Sequence, residues 1–170
     1  MNPMNAVRDM RTIRQLLTDA ESIARELGDE QPAAEHMLLA AMDLPDGTAS
    51  RILATFGVDR DAVRAAIEAQ HAAALTAVGI GRDQAGRAGE AKPLPPADGA
   101  SVYRSTPSAQ EAFRAAGAIA RSSKERLAGA HVVTAFAAIE RGTPARVLAQ
   151  LDIDSDALAA AAAEERRRVR

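Results

Sequence analysis

The chain contains one segment twice, and this duplication constrains the fold more than any other feature of the sequence. "HMLLAAMDLPDGTASRILATFGVDRDAV" (36–63) aligns without gaps on "HVVTAFAAIERGTPARVLAQLDIDSDAL" (131–158), an offset of 131 − 36 = 95 residues. Ten of the 28 aligned positions are identical, and most of the others exchange one apolar residue for another. A repeat of this kind predicts two copies of one supersecondary unit that pack on each other.

Composition narrows the class of protein. Hydrophobic residues make up 47% of the chain, with alanine the commonest, and aromatic residues account for only 2%. Such a chain favours helices over strands. It has no cysteine, which excludes disulfides and cysteine-based zinc sites, and its net charge of −2 gives no indication of nucleic-acid binding. We therefore expect an all-α protein with no nucleic-acid partner.

Capping residues and apolar spacing divide each copy into four helices. Thr48 and Thr143 are expected to cap the third helix of each copy, and Asp59 and Asp154 the fourth. A long amphipathic first helix is predicted from an apolar stripe formed by Met10, Ile13, Leu17, Ala20, Ala24 and Leu27. The predicted helices are 6–28, 34–44, 48–56, 59–77, 106–123, 130–141, 143–151 and 154–168.

The domain organisation follows from the repeat. We expect residues 1–170 to form a single module, with repeat one over 1–78 and repeat two over 105–170, the latter ending in the basic tail "EERRRVR". The stretch 79–104 between them is rich in glycine, proline and charge and is predicted to be a flexible linker. Units this small do not cover their own apolar faces, so the two repeats should pack as one pseudo-twofold helical domain.

Nothing in the sequence points to a membrane. The N-terminus "MNPMNAVRDMRTIRQ" has no uninterrupted apolar core, and no segment approaches the roughly 18 apolar residues that a membrane span needs. A cytoplasmic location without membrane partners is the expectation.

His36 and His131 occupy the same position in the two copies and are the first candidates for chemistry. A zinc site usually needs three or four ligands, and the only other histidine is His71, in the last helix of repeat one. No nucleophile and base are visible as a pair. We therefore predict that His36 and His131 are structural, that there is no catalytic residue, metal or cofactor, and that the protein is not an enzyme.

The motifs within the repeat identify a family. Repeat one reads "ARELG" (24–28), "EHMLLA" (35–40), "GTASRIL" (47–53) and "GVD" (57–59), and repeat two begins with "TPSA" (106–109). In this order the motifs resemble the Clp N-terminal repeat at the front of Hsp100/Clp ATPases, most closely the ClpC type. The chain contains no G-x-x-x-x-G-K-[ST] phosphate loop. The resemblance therefore implies two four-helix Clp-type repeats and a recognition module without the ATPase.

The resemblance also implies a ligand site at Glu35. A glutamate in the first turn of a helix is favoured by the helix dipole in any case. In ClpC-type domains, however, the glutamate of a G-T-E-H motif helps bind phosphoarginine, once in each repeat. Here Glu35 matches that glutamate, Ala130 replaces it in repeat two, and the preceding Gly-Thr is lost in both copies. We expect phosphoarginine binding to be weak or absent.

A second candidate surface lies at the start of repeat two. ClpC-type domains bind certain cyclic peptides near this point, where an aromatic residue precedes the T-P motif. The matching residues here are Tyr103, Ser105, Thr106 and Pro107. Tyr103 is the only tyrosine of the chain, so both a binding role and a plain linker role remain open.

By this resemblance the chain is a non-enzymatic module that binds substrates, adaptors or peptide-like ligands of a Clp/Hsp100 protease system. It would act as an adaptor, a regulator or a decoy, and sequestration of Clp-targeting cyclic peptides is one form of the decoy role. The Clp/Hsp100 ATPase itself, its adaptors or its substrates are the expected partners. The alternative is an interaction protein that keeps the fold but binds an unrelated protein partner.

Overall fold

The computed structural model describes residues 3–77 and 104–169, with side chains described from residue 9 onward. Eight helices lie within these ranges. The first four are α1 (Pro3–Glu26), α2 (Ala34–Met42), α3 (Thr48–Ala54) and α4 (Arg60–Ala77). The second four are α5 (Pro107–Ser122), α6 (Gly129–Ala137), α7 (Thr143–Gln150) and α8 (Ser155–Arg168).

The prediction of an all-α fold with two sets of four helices is confirmed, and the helix boundaries agree within a few residues. The duplication extends to the backbone of the turns. Gly57 and Asp152, which lie 95 residues apart, both have positive φ angles, 71° and 55°. The predicted linker lies outside the described residues apart from Arg104, so its flexibility stays a prediction.

The last helix of each repeat begins as predicted. Asp59 Oδ1 accepts a hydrogen bond from the Ala62 N–H, and Asp154 Oδ1 accepts one from the Ala157 N–H, both at 2.8 Å. The predicted caps at Thr48 and Thr143 are wrong, because each is the first residue of its helix and a glycine, Gly47 or Gly142, takes the N-cap position. The Thr48 hydroxyl is used elsewhere, as an acceptor for repeat two.

The two repeats pack around a central pair of helices. Helix α2 lies against α6, while α1 covers α2 and α5 covers α6 in the same way. The outer helices cross between repeats, so that α3 packs on α8 and α4 packs on α7. Exchanging repeat one for repeat two maps each of these pairs onto the other, which is the pseudo-twofold arrangement that the sequence predicted.

The central helices are almost entirely buried. All nine residues of α2 and eight of the nine residues of α6 are buried. Small residues allow the close approach: a Cβ atom on Gly129 would lie 2.9 Å from Ala49 Cβ and 3.0 Å from Ala41 O. The first turn of α6 therefore lies directly on repeat one, with no space for a side chain at position 129.

The predicted apolar stripe of α1 needs one correction. Met10 is 65% exposed, while Leu16, which was not part of the stripe, is fully buried. The buried face of α1 comprises Leu16, Ala20, Ile23 and Ala24. Ile13, Leu17 and Leu27 of the predicted stripe are partly buried and pack against this core.

No helix in the described part of the chain combines the length and the apolar character that crossing a bilayer requires.

We expect Gly129→Ala to lower the free energy of unfolding by roughly 1–3 kcal/mol, because an added methyl group in a filled interior forces backbone shifts. Gly117→Ala is the matched control. Gly117 lies in the middle of α5, where an added Cβ would meet only the mobile end of Arg121. That variant should be stabilised by about 0.5–1 kcal/mol through helix propensity. Urea denaturation of both variants measures this, and equal stability for Gly129→Ala and the wild type would contradict the packing.

Candidate functional site

The loop from α1 to α2 ends in a side-chain cap made by His36. The Ala33 N–H, at the N-cap of α2, donates a hydrogen bond of 2.9 Å to His36 Nδ1. Because Nδ1 is an acceptor, the proton of the neutral ring lies on Nε2. The His36 side chain is completely buried, and its Nε2 lies 3.1 Å from Asp29 Oδ2, without the alignment of a regular hydrogen bond.

Repeat two builds the same cap with His131. The Ala128 N–H donates to His131 Nδ1 at 3.1 Å, and His131 Nε2 lies 3.0 Å from Glu125 Oε2, with which it forms a hydrogen bond. In both repeats, therefore, a buried histidine accepts the N-cap amide with one nitrogen and directs the other at a carboxylate. This geometry agrees with the structural role proposed for His36 and His131.

The two carboxylates occupy equivalent positions at the end of a helix. The Asp29 N–H bonds to Ala24 O at the end of α1, and the Glu125 N–H bonds to Ala120 O at the end of α5. Each follows a residue with positive φ, Gly28 or Lys124. The loop to the histidine is one residue shorter in repeat two, so Glu125, with its longer side chain, takes the place of Asp29.

A basic side chain from the last helix completes each cluster. His71 of α4 and Arg166 of α8 are 166 − 71 = 95 residues apart, the offset of the repeat. His71 Nε2 lies 3.5 Å from Asp29 Oδ2, and Arg166 Nε donates to Glu125 Oε2 at 3.1 Å. Both repeats thus contain a carboxylate, a capping histidine and a basic side chain, which is a histidine in one repeat and an arginine in the other.

Glu35 belongs to the first of these clusters. It lies in the first turn of α2 and is only 4% exposed, and its Oε1 lies 3.9 Å from His71 Nε2. Its other oxygen, Oε2, is buried with no hydrogen-bond partner. The carboxylate predicted to contact a ligand therefore faces a histidine of its own repeat.

Charges within the clusters shift the pKa values. The nearby Glu35 carboxylate, 3.9 Å away, raises the pKa of His71 against the effect of burial, and the charge of Asp29 adds to the rise. Burial alone would raise the pKa of Asp29, but His36 and the charge of His71 outweigh it, and the pKa is lowered. Burial lowers the pKa of His131, and the charge of Arg166 adds to this effect while Glu125 opposes it.

The position equivalent to Glu35 in repeat two is closed. Ala130 lies there, fully buried, and its N–H donates to Thr48 Oγ1 at 2.8 Å. The neighbouring Gly129 N–H is shared by both carboxylate oxygens of Asp46 at 3.2–3.3 Å. Side chains of repeat one therefore accept the first N–H groups of α6, and the first turn of this helix has no carboxylate or free amide for a ligand.

The predicted surface at the start of repeat two contacts the start of α2, next to Glu35. The Thr106 N–H donates to Pro32 O at 3.0 Å, and the Ala34 N–H donates to Ser108 Oγ at 3.4 Å. We call the contact between residues 32–34 and 105–108 the repeat junction. Thr106 caps α5 by accepting the Ala109 N–H at 3.4 Å, and Pro107 is its exposed first residue.

The predicted site residues differ in how accessible they are. Ser105 is only 6% exposed, and its carbonyl accepts a hydrogen bond from Gln110 Nε2. Tyr103 lies outside the described residues. Thr106 and Pro107 are the predicted residues that the junction presents to solvent, next to the exposed Gln31 and Arg104.

From the sequence, His71 was named only as the third histidine, and Asp29, Glu125 and Arg166 were not singled out. A signal for the acids was present, because an acidic residue precedes each capping histidine by seven or six positions. His71 and Arg166 also lie at the repeat offset, just beyond the aligned segment. The repeat does not reveal them by identity, because the two copies have different residue types at these positions.

The fold and these clusters define a class of protein, an all-helical module of two four-helix repeats with a buried polar cluster in each. Residues 11–91 match the family model described as Clp repeat (R) N-terminal domain, so this part of the chain is similar to that family. Domains of this family are generally protein-interaction modules of Clp/Hsp100 systems. No curated protein matches the chain.

Solved structures support the same fold. The N-terminal domain of the caseinolytic protease associated chaperone ClpD from Arabidopsis thaliana matches with a TM-score of 0.60. The match covers 92% of each chain at 20% sequence identity, which establishes a shared fold.

We predict that the contribution of His131 to the stability of the protein falls as the pH drops below about 6.5, the usual pKa of an unfolded histidine. His71, whose pKa is raised, contributes in the opposite direction. Because the folded state lowers the pKa of His131, the unfolded chain binds this proton first. The contribution is fully present above pH 6.5 and is lost as the pH falls through the lower, folded-state pKa. Melting temperatures across this range, compared with those of His131→Gln, measure it; a variant with the same acid slope as the wild type would contradict the assignment.

Proposed function

We propose that this protein binds substrates, adaptors or peptide-like ligands of a Clp/Hsp100 protease system and acts as an adaptor, regulator or decoy for that system. The observation that carries the proposal is the family match over residues 11–91, together with the two-repeat fold. A cytoplasmic location and an absence of catalysis are part of the same proposal.

We assign the docking surface to the repeat junction. Backbone and side-chain hydrogen bonds hold its two segments together, so the surface is preformed and binding a ligand would cost little conformational entropy. Pro107 of the junction and the neighbouring Gln31 and Arg104 are exposed, and they offer one apolar ring and several polar groups. A peptide-like ligand suits such a surface better than a small apolar molecule.

Phosphoarginine is not the expected ligand. A guanidinium group needs an available carboxylate, yet Glu35 is buried beside His71, whose raised pKa favours the positively charged form. Repeat two has neither the carboxylate nor a free first-turn amide at the matching position. We infer that this chain has lost the modification-specific binding that its resemblance implied.

Two narrower roles remain within the proposal. Sequestration of Clp-targeting cyclic peptides would use the same junction, since Thr106 and Pro107 lie there. Alternatively, the fold has kept its framework while the junction binds an unrelated protein.

A reconstituted degradation assay tests the function. The full chain is added in increasing amounts to a purified Clp/Hsp100 protease degrading labelled casein, an unfolded substrate. A decoy slows degradation in proportion to its concentration, and an adaptor accelerates it. An unchanged rate at large excess of the chain would contradict the proposal.

Pro107→Lys locates the effect. The substitution adds a long charged side chain at the first residue of α5, where it faces solvent, and should weaken the effect of the chain at least about fivefold if the junction binds the ligand. The matched control is Ser155→Lys, because Ser155 is also exposed and is the first residue of α8. An equal effect of both variants would move the docking surface elsewhere.

Calorimetry with free phosphoarginine tests the loss of that ligand. We expect no tight binding to the wild type and no difference between the wild type and Glu35→Gln. Two tight sites per chain would refute the inferred loss, and one tight site abolished by Glu35→Gln would show that the first-repeat carboxylate is still available.

A further inference from the structure

Four side chains with metal-binding groups converge in repeat one. Asp29 comes from the loop after α1, Glu35 and His36 from the first turn of α2, and His71 from α4. Among the described residues, Asp29, His36 and His71 each place one possible ligand atom within 4.8 Å of the other two. Glu35 Oε1 lies 3.9 Å from His71 Nε2, so the imidazole of His71 lies between two carboxylates.

Two atoms of this cluster are buried without a hydrogen-bond partner, Glu35 Oε2 and His36 Nε2. An ionised carboxylate in such surroundings is costly unless a positive charge compensates it. The Glu35 side chain is only 5% exposed, so solvent provides little compensation.

The hydrogen bonds decide which of the four side chains are able to act as ligands. A histidine that binds a metal through Nε2 normally donates an N–H from Nδ1 to a neighbour. His36 does the opposite, because its Nδ1 accepts the Ala33 N–H. Its proton therefore remains on Nε2, directed toward Asp29, and His36 positions that carboxylate. The ligand atoms come from Asp29, Glu35 and His71.

We infer that Asp29, Glu35 and His71 form a binding site for a divalent transition-metal ion, with Zn²⁺ the best fit. Tetrahedral Zn²⁺, with bonds of about 2.0–2.1 Å to nitrogen and oxygen, places neighbouring ligand atoms roughly 3.3–3.5 Å apart. His71 Nε2 lies 3.5 Å from Asp29 Oδ2 and 3.9 Å from Glu35 Oε1. A three-ligand site requires the Glu35 carboxylate to move toward His71 Nε2 and Asp29 Oδ2, and it leaves a fourth position for water or a ligand.

The donor set selects the class of metal. Two carboxylates neutralise a divalent charge, and an imidazole nitrogen favours zinc and its neighbours over Mg²⁺ and Ca²⁺, which prefer oxygen ligands alone. The prediction of no metal was based on the number of histidines, which does not show that the last helix of repeat one lies beside the start of α2.

Repeat two provides a natural contrast. Arg166 stands at the position of His71, Ala130 stands at the position of Glu35, and the guanidinium of Arg166 bonds to Glu125. A fixed guanidinium cannot bind a metal. The cluster in repeat two therefore contains its own positive charge, on Arg166. The cluster in repeat one has His71 at that position, which is able to act as a metal ligand.

The test uses the untagged full chain, freed of metal with a chelator and titrated with ZnCl₂ in a calorimeter, with MgCl₂ as the comparison. We expect one Zn²⁺ site per chain and no measurable heat of Mg²⁺ binding.

His71→Arg introduces the residue that repeat two has at this position, so the variant should fold like the wild type by circular dichroism. Its Zn²⁺ affinity should fall at least about tenfold, the loss typical of damaged metal sites. Asp61→Asn is the control, since Asp61 is exposed in the first turn of the same helix; its Zn²⁺ affinity should be unchanged.

Histidine nitrogen spectra assign the site independently of variant stability. The chain has three histidines, so long-range ¹H–¹⁵N correlations resolve them. Zn²⁺ should move the Nε2 resonance of His71 and leave His131 unmoved, while His36 keeps its proton on Nε2. Absence of any Zn²⁺ shift, a shift centred on His131, or equal affinity in His71→Arg would each overturn the inference and leave the cluster as an ion pair only.

Discussion

The close contact between α2 and α6 is the constraint on which the rest of the structure depends. Both helices are too short to be stable alone, and both are buried along almost their whole length. They approach closely because Gly129 lies against Ala41 and Ala49, where no other side chain fits. The buried first turns then need partners for their free amides, and the capping histidines, Asp46, Thr48 and Ser108 supply them. The two histidine clusters lie at these helix starts for that reason.

The capping histidines explain why each repeat also contains an acid and a cation. A neutral histidine that accepts an amide proton at Nδ1 must carry its own proton at Nε2, and a buried N–H requires an acceptor. Glu125 accepts this hydrogen bond in repeat two, and in repeat one Asp29 Oδ2 lies 3.1 Å from His36 Nε2. A partly buried carboxylate is stabilised in turn by a nearby positive charge. Repeat two uses Arg166 for this charge, and repeat one uses His71. The carboxylate of repeat two is therefore bonded to a guanidinium, whereas the carboxylate of repeat one lies beside a histidine.

Much of this architecture follows from the sequence. The repeat, the helix order and the caps at Asp59 and Asp154 were predictable, because they depend on local patterns that the two copies share. The role of Thr48 was not, because its hydroxyl bonds to Ala130, 82 residues away. The cluster of Asp29, Glu35 and His71 was also hidden, since it depends on how α4 packs beside α2. The burial of Ser105 depends likewise on the contact between the repeats.

We propose that the ligand binds at the repeat junction and at the neighbouring loop between α1 and α2. Hydrogen–deuterium exchange of the full chain, alone and with saturating casein, tests it most directly. The account predicts slower exchange in residues 27–36 and 104–110 and unchanged exchange in residues 125–136. Protection confined to residues 125–136, or no protection anywhere at saturation, would contradict it.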